Sequence, residues 1–192
     1  MGSSQADKAA SHERIVKTAS RRMRRDGIDS VSVADLMNEA GLTHGGFYRH
    51  FDSRDDLMAE AIDTALAQGS ERIQAAAKLG GAEALAAIID GYLSPLHRDK
   101  PETGCAVAAL PTDIARTNAR VRTAYACQVR SYIELLTELI PGRDSDEAHL
   151  ILAALVGALV LARAVNDRGM SDEILDSAAR ALHRHVDNAP QV

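Results

Sequence analysis

"GLTHGGFYRHF", residues 41–51, sets two adjacent glycines, Gly45 and Gly46, where the surrounding pattern calls for helix. Each glycine costs a helix interior about 1 kcal/mol relative to alanine, so the stretch must gain something from them. On a helical wheel over residues 43–51, Phe47 and Phe51 fall about 40° apart and point into a core. Tyr48, Gly45, Arg49 and Gly46 fill the opposite arc. Both glycines are therefore expected to face outward, where a surface without side chains lets the backbone sit close to another molecule. Tyrosine, histidine and arginine beside that gap are donors suited to phosphate oxygens. Thr43 and His44 occupy the first turn, the part of a recognition helix that meets base edges. The plainer alternative is that "THGG" is a turn and the phenylalanines are an ordinary core patch.

The flanking sequence weighs against that alternative. Upstream, a helix is expected from an N-cap at Ser11 to Gly27, with Ile15, Val16, Ala19 and Met23 on one face and Arg21 and Arg25 opposite. After "DGIDS" a short helix runs from about Ser32 to Ala40, with Val33, Leu36 and Met37 inward, and Gly41 ends it. Downstream, "SRDD" has the form of a capping box at Ser53. It opens a helix through Leu57, Ala61, Ile62, Ala65 and Leu66 to about Ala77. Two short helices joined by a tight glycine turn behind a leading helix describe a helix-turn-helix unit.

Residues "RIVKTASRRMRRDGIDSVSVADLMNEAGLTHGGFYRHFDSRDDLMAEAI", and within them "AGLTHGGFYRHF" followed by "SRDDL", resemble the TetR (tetracycline repressor) family of bacterial transcriptional regulators. The resemblance covers roughly the first third of the chain. It implies a homodimer whose paired heads bind a palindromic double-stranded DNA operator and repress until a small molecule binds the larger domain. Residue by residue, Thr43, His44 and Gly45 match positions that read bases. Ser32, Gly46, Tyr48, His50 and Arg54 match positions that contact the sugar-phosphate backbone. Two departures stand out: Arg54 replaces the usual lysine, keeping charge but changing geometry, and Met37 replaces a small residue beneath the recognition helix.

Composition agrees with an all-α chain. Of 192 residues, 46% are hydrophobic and only 3% aromatic, with no tryptophan, which favours helix packed on helix. Net charge is −5, but Lys8 to Arg49 carries eight Lys/Arg against five Asp/Glu, a net of +3, so one end is suited to phosphates. The expected division is a flexible arm over 1–10, a helix-turn-helix head over 11–52, and a ligand-binding and dimerisation body over 53–192 that begins with a linker helix, 53–77. Body helices are expected near 82–98, 104–116, 118–140, 145–166 and 172–187, with Pro95 and Pro111 kinking or ending the helices near them.

The helix from Ala148 to Val165 is apolar nearly all round and needs cover on several sides. With the last helix it points to an intermolecular four-helix bundle, its expected contacts being Leu152, Leu155, Val156, Leu159, Ile174, Leu175, Ala178 and Leu182. The most apolar run, Leu150 to Ala162, is shorter than a bilayer span, so no membrane partner is expected. A regulator's pocket needs apolar walls with a few polar groups. Tyr92, His97, Cys105, Asp113, Tyr125, Tyr132, His149 and Asn166 are the candidates for an unknown effector. Cys105 sits at an expected helix start near Lys100, a setting that favours thiolate and a thiol sensor, whereas Cys127 reads as inert core.

No cofactor or metal site is expected, because the two cysteines have no metal-ligand spacing. With no apolar leader, the compartment expected is a reducing cytoplasm. No glycine-rich phosphate loop, G-x-S-x-G elbow or His-Glu-x-x-His motif is present, and the histidines of "HRH" at 183–185 do not share a helix face. An enzyme is therefore not expected. The competing class is a helix-turn-helix scaffold that binds a small molecule or protein without DNA.

Overall fold

Helix ends in the amino-terminal third are set by two glycines and two serines. The computed structural model describes residues 5–140 and 145–187, and among these residues there is no strand. Helix α1 (Gln5–Asp26) ends at Gly27, whose φ of 89° lets its N–H return to the Met23 carbonyl at 2.9 Å. Helix α2 (Val33–Glu39) is capped by Ser32 Oγ, which accepts from Asp35 N at 3.1 Å. Gly41, with φ 74°, then turns the chain into a 3-10 helix, His44–Arg49. Helix α3 (Arg54–Ala77) opens on Ser53, whose Oγ accepts from Asp56 N at 3.1 Å and donates to the Asp56 carboxylate at 2.7 Å.

Two expectations for this third are corrected. Residues 5–10 belong to α1 rather than to an arm, and Ser11 lies inside that helix, where its Oγ accepts from Arg14. The glycine-bearing stretch is a 3-10 helix rather than an α-helix, which tightens its turn to about three residues. The head core is as expected: Ile15, Val16, Ala19, Met23, Leu36, Met37, Phe47, Phe51 and Leu57 are all buried.

The body comprises α4 (Gly81–Tyr92), α5 (Pro95–Asp99), a 3-10 turn (Pro101–Thr103), α6 (Ala106–Ala109), α7 (Pro111–Ile114), α8 (Ala119–Leu139), α9 (Ser145–Ala164) and α10 (Arg168–Asp187). Each proline follows the end of a helix, as expected, and also begins the next one. Ser94 caps α5 with Pro95 at its first position, and Pro111 starts α7 after Leu110. Proline suits a first helical position because its missing N–H has no partner there in any case. The spans 82–98 and 104–116 are thereby divided, and α10 begins one turn earlier than expected.

Helix α3 ties the molecule together, packing on α1 at one end and on α4, α6 and α8 further along. Helix α9 lies against both α8 and α10. Leu152, Leu155 and Leu159 on α9, with Leu175 and Leu182 on α10, are buried inside the single chain, which corrects their assignment to a dimer face. A helix apolar all round does not reveal in sequence which stripe its own chain covers. Here Ile151, Leu155, Ala158 and Ala162 turn inward, whereas Leu150, Ala153, Val160, Leu161 and Ala164 remain exposed. Val156, Ile174 and Ala178 lie half-buried at the margin. By length and composition alone α9 is long and apolar enough to cross a membrane, a test that a core helix passes equally.

Candidate functional site

Gly45 has no structural reason, within this chain, to be glycine. The positive-φ glycines are 27, 41, 80 and 81, so its backbone is open to any residue. It is exposed, and no atom lies within 4 Å of where its Cβ would stand. Gly46 differs, and the expectation that both glycines face outward is corrected. A Cβ there would sit 3.5 Å from Met37 Cε and 3.9 Å from Thr43 Oγ1, so that position faces the head.

Free donors surround Gly45. Tyr48 is 77% exposed, its ring edge-on to Phe47, which anchors the segment in the core. Thr43 is exposed and its side chain makes no cap bond, which leaves the hydroxyl free. Arg49 is exposed and has no ion pair among the described residues. His44 belongs to the segment, but its side chain lies outside the described residues. His50 is half-buried, with Nδ1 unpartnered among the described residues. Burial, then the neighbouring His12, push its pKa down, favouring a neutral ring.

Helix α1 contributes residues that sequence reasoning missed. Lys8 and Ser11 share a groove of about 600 Å³ with Thr43, Tyr48, Arg49 and His50. Lys8 falls in the stretch expected to be an arm; the charge excess that begins with it was the available signal. His12 positions this end of α1 by stacking on Phe51, ring centroids 4.4 Å apart, and by hydrogen-bonding Glu60 at 2.7 Å. Arg54 is less free than its assignment to the DNA backbone implied. Its Nη2 donates to the Ile28 and Val31 carbonyls, each at 3.3 Å, holding the turn between α1 and α2.

Among the effector candidates, Tyr92, His97 and Cys105 come together in a cavity of about 80 Å³, with Gly69, Ile88 and Gly91 in its wall. His97 Nδ1 lies 2.7 Å from the Tyr92 carbonyl, and Nε2 accepts from Cys105 N at 3.0 Å, which fixes the tautomer with the proton on Nδ1. Burial pushes His97 down to about 4. Tyr92 is buried with its hydroxyl unpartnered among the described residues. Tyr132 adjoins from behind, its hydroxyl 3.8 Å from Cys105 Sγ.

The other candidates lie elsewhere. Tyr125 donates to the Val107 carbonyl at 2.9 Å, and burial raises its pKa to about 12. Asp113 serves the head: its Oδ2 accepts from Ile28 N at 3.0 Å. His149 is exposed on α9, and Asn166 lies in a separate cleft. Arg24 and Arg163 are the arginines that reach Gly104, the neighbour of Cys105. Cys127 is exposed on α8 rather than core. Among the described residues no group of three metal-ligating side chains occurs.

The head thus presents a donor-rich reading segment at the tip of a helix-turn-helix, the class of architecture that binds duplex DNA. Residues 15–61 match "Bacterial regulatory proteins, tetR family". A helix-turn-helix-type transcriptional regulator of Mycobacterium tuberculosis is 29% identical over 167 residues, covering 81% of this chain and 85% of its own. A TetR transcriptional regulator from Chloroflexus aurantiacus shares the fold with a TM-score of 0.80 at 24% identity, over 96% of this chain and 98% of its own. The reduced form of E. coli NemR does so at 0.77 and 20% identity, over 95% and 100%. The chain is a helix-turn-helix transcriptional regulator. Residues 15–61 carry the helix-turn-helix of the TetR family, and the chain shares the fold of solved TetR regulators over nearly its whole length.

Proposed function

We propose that the chain is a dimeric repressor that holds a palindromic operator until a small molecule enters its body. The observation that carries this reading is Gly45, an exposed glycine with ordinary backbone angles and empty space at its Cβ position, amid Thr43, Tyr48 and Arg49. A residue that the fold does not require, and that lowers helix stability, is accounted for by close approach of the backbone to a groove. Thr43 and His44 then read base edges, while Ser32, Tyr48 and His50 meet phosphates, with Lys8 added from α1. A second head supplies the other half-site, because one short segment reads too few base pairs.

The partner copy is assigned to the exposed apolar face of α9, centred on Leu150, Val160 and Leu161, extended by Met170. The effector is assigned to the His97–Cys105 cavity, whose Gly104 wall is held to α1 by Arg24 Nη1 donating to the Gly104 carbonyl at 3.1 Å. Thiol sensing by Cys105 is the lesser reading, since only 4% of the residue is exposed.

The test is selection of duplexes from a random library, followed by Gly45→Ala against the winner. Alanine should leave the melting temperature unchanged or raise it, by up to about 1 kcal/mol of stability. Operator affinity should fall by tenfold or more, roughly the discrimination of one good base contact. A palindromic consensus bound equally well by the alanine variant would leave the glycine without a role in DNA binding. No enrichment at all, in reduced and effector-free protein at low salt, would favour the scaffold class.

A further inference from the structure

At the opposite end of α1 from the reading segment lies an open cleft of about 580 Å³, bounded by that helix, by residues 98–101 and by the turn between α9 and α10. Five arginines reach its wall: Arg24, Arg25, Arg98, Arg163 and Arg168. Three have carboxylate partners. Arg25 pairs with Asp26 at 2.8 Å, Arg98 with Asp99 and Asp172 at 2.8 and 2.5 Å, and Arg168 with Asp99 at 2.8 Å. The remaining acid of the wall, Asp167, accepts from Met170 N at the start of α10.

Arg24 and Arg163 are left without an ion pair among the described residues. Arg24 is only 3% exposed and bonds neutral oxygens alone: those of Ser20, Gly104 and Gln68. Arg163 Nε donates to the Arg98 carbonyl at 3.1 Å and Nη2 to the His97 carbonyl at 2.6 Å. Its Nη1 has no partner among the described residues and is not buried. Both guanidiniums meet at Gly104, whose carbonyl accepts from Arg24 and whose missing Cβ would lie 3.1 Å from Arg163 Nη2. Burial lowers the pKa of each, that of Arg24 to about 10, while Glu102 acts on both only at longer range. A buried cation without a counter-charge is costly. Buried Arg24 and half-buried Arg163, both without an ion pair among the described residues and beside one open cleft, leave a place for an anion.

We propose that this cleft binds a small molecule bearing a carboxylate or phosphate, with Arg163 Nη1 and Nη2 as the fork that receives its oxygens and Arg24 as the buried charge behind them. A planar guanidinium matches either oxyanion in two parallel hydrogen bonds. Duplex DNA is not the favoured occupant. Arg24 stands sixteen residues beyond Lys8 on the same helix, about 24 Å along its axis. The site is distinct from the His97–Cys105 cavity, which lies across the Gly104 backbone, and it joins α1 of the head to α9 and α10 of the body.

The experiment is calorimetric titration of the full chain with inorganic phosphate, pyrophosphate, succinate and citrate at constant ionic strength, with chloride as control. At least one probe should bind saturably, one per chain. Arg163→Gln should weaken it roughly tenfold to a hundredfold. Ala164→Glu, at an exposed position on the cleft wall, sets a carboxylate there and should abolish binding with the circular dichroism spectrum retained. Should Arg163→Gln fail to fold, the Ala164 variant decides alone. The ranking of phosphates against carboxylates identifies the chemistry preferred. Absence of saturation by all four probes, or binding that survives the Ala164 variant, would overturn the proposal. So would a variant that lost only affinity for duplex DNA, which would make the cleft part of the nucleic-acid surface.

Discussion

His97 shows how one buried side chain ties stability to pH. Its ring is enclosed by Tyr92, Cys105 and the Arg163 guanidinium, with Arg72 contributing at longer range, and its pKa is lowered to about 4, mainly by burial. The unfolded chain, with histidine near 6.5, takes up a proton more readily. The stability that this neutral ring contributes is therefore complete above pH 6.5 and is lost as pH falls toward 4. A displacement of this size corresponds to on the order of 3 kcal/mol. Denaturant unfolding between pH 7 and 4 should show that loss, and His97→Gln should flatten it. An equally steep profile in the variant would place the acid sensitivity in other groups. Sequence reasoning identified His97 as a candidate but had no means to find Arg24. That residue continues the α1 stripe past Ser20, and it is buried only because the segment around Gly104 folds over it.

Among the elements, the short pieces α6 and α7 connect the head to the body. Gly104, just ahead of α6, receives Arg24, and Asp113 in α7 receives Ile28 N, so both ends of this short stretch grip the head. Arg54 holds the same turn from α3. Replacing Asp113 with alanine should cost about 1–3 kcal/mol, the range for a charged acceptor. It should also weaken operator affinity, because the turn that orients α2 loses one of its two holders. Full affinity at unchanged fold would show that Arg54 suffices. These grips were not legible in sequence. The cap at Ser53 was, since its partner Asp56 lies three residues on, whereas the cap expected at Ser11 falls inside α1. Pro95 and Pro111 were legible as breaks, but not as helix starts. The reading segment was found by pattern, yet its 3-10 geometry and the inward face of Gly46 follow from its packing on Met37.

At the scale of the whole molecule, the proposed dimer rests on α9. A stable homodimer needs an interface of roughly 1,200 Å² or more with an apolar centre. The exposed face at Leu150, Val160 and Leu161 is where α9 can supply one. Leu161→Glu, at a position 57% exposed in the single chain, should leave the protomer folded and shift sedimentation to the monomer. Operator binding should fall with it, since a monomer presents a single half-site. A dimer that persisted would move the interface elsewhere. Sequence pattern placed the dimer face on a stripe of α9 that its own chain covers.

The two cysteines differ sharply in access: Cys105 is enclosed, whereas Cys127 stands open on α8. A maleimide dye or nitroxide reagent will therefore find one thiol per native chain, without any cysteine having to be removed. In a symmetric pair of chains, that single label becomes two reporters related by the two-fold axis. The distance between them would follow the body as operator and small anions come and go, using a ruler already written into the polypeptide.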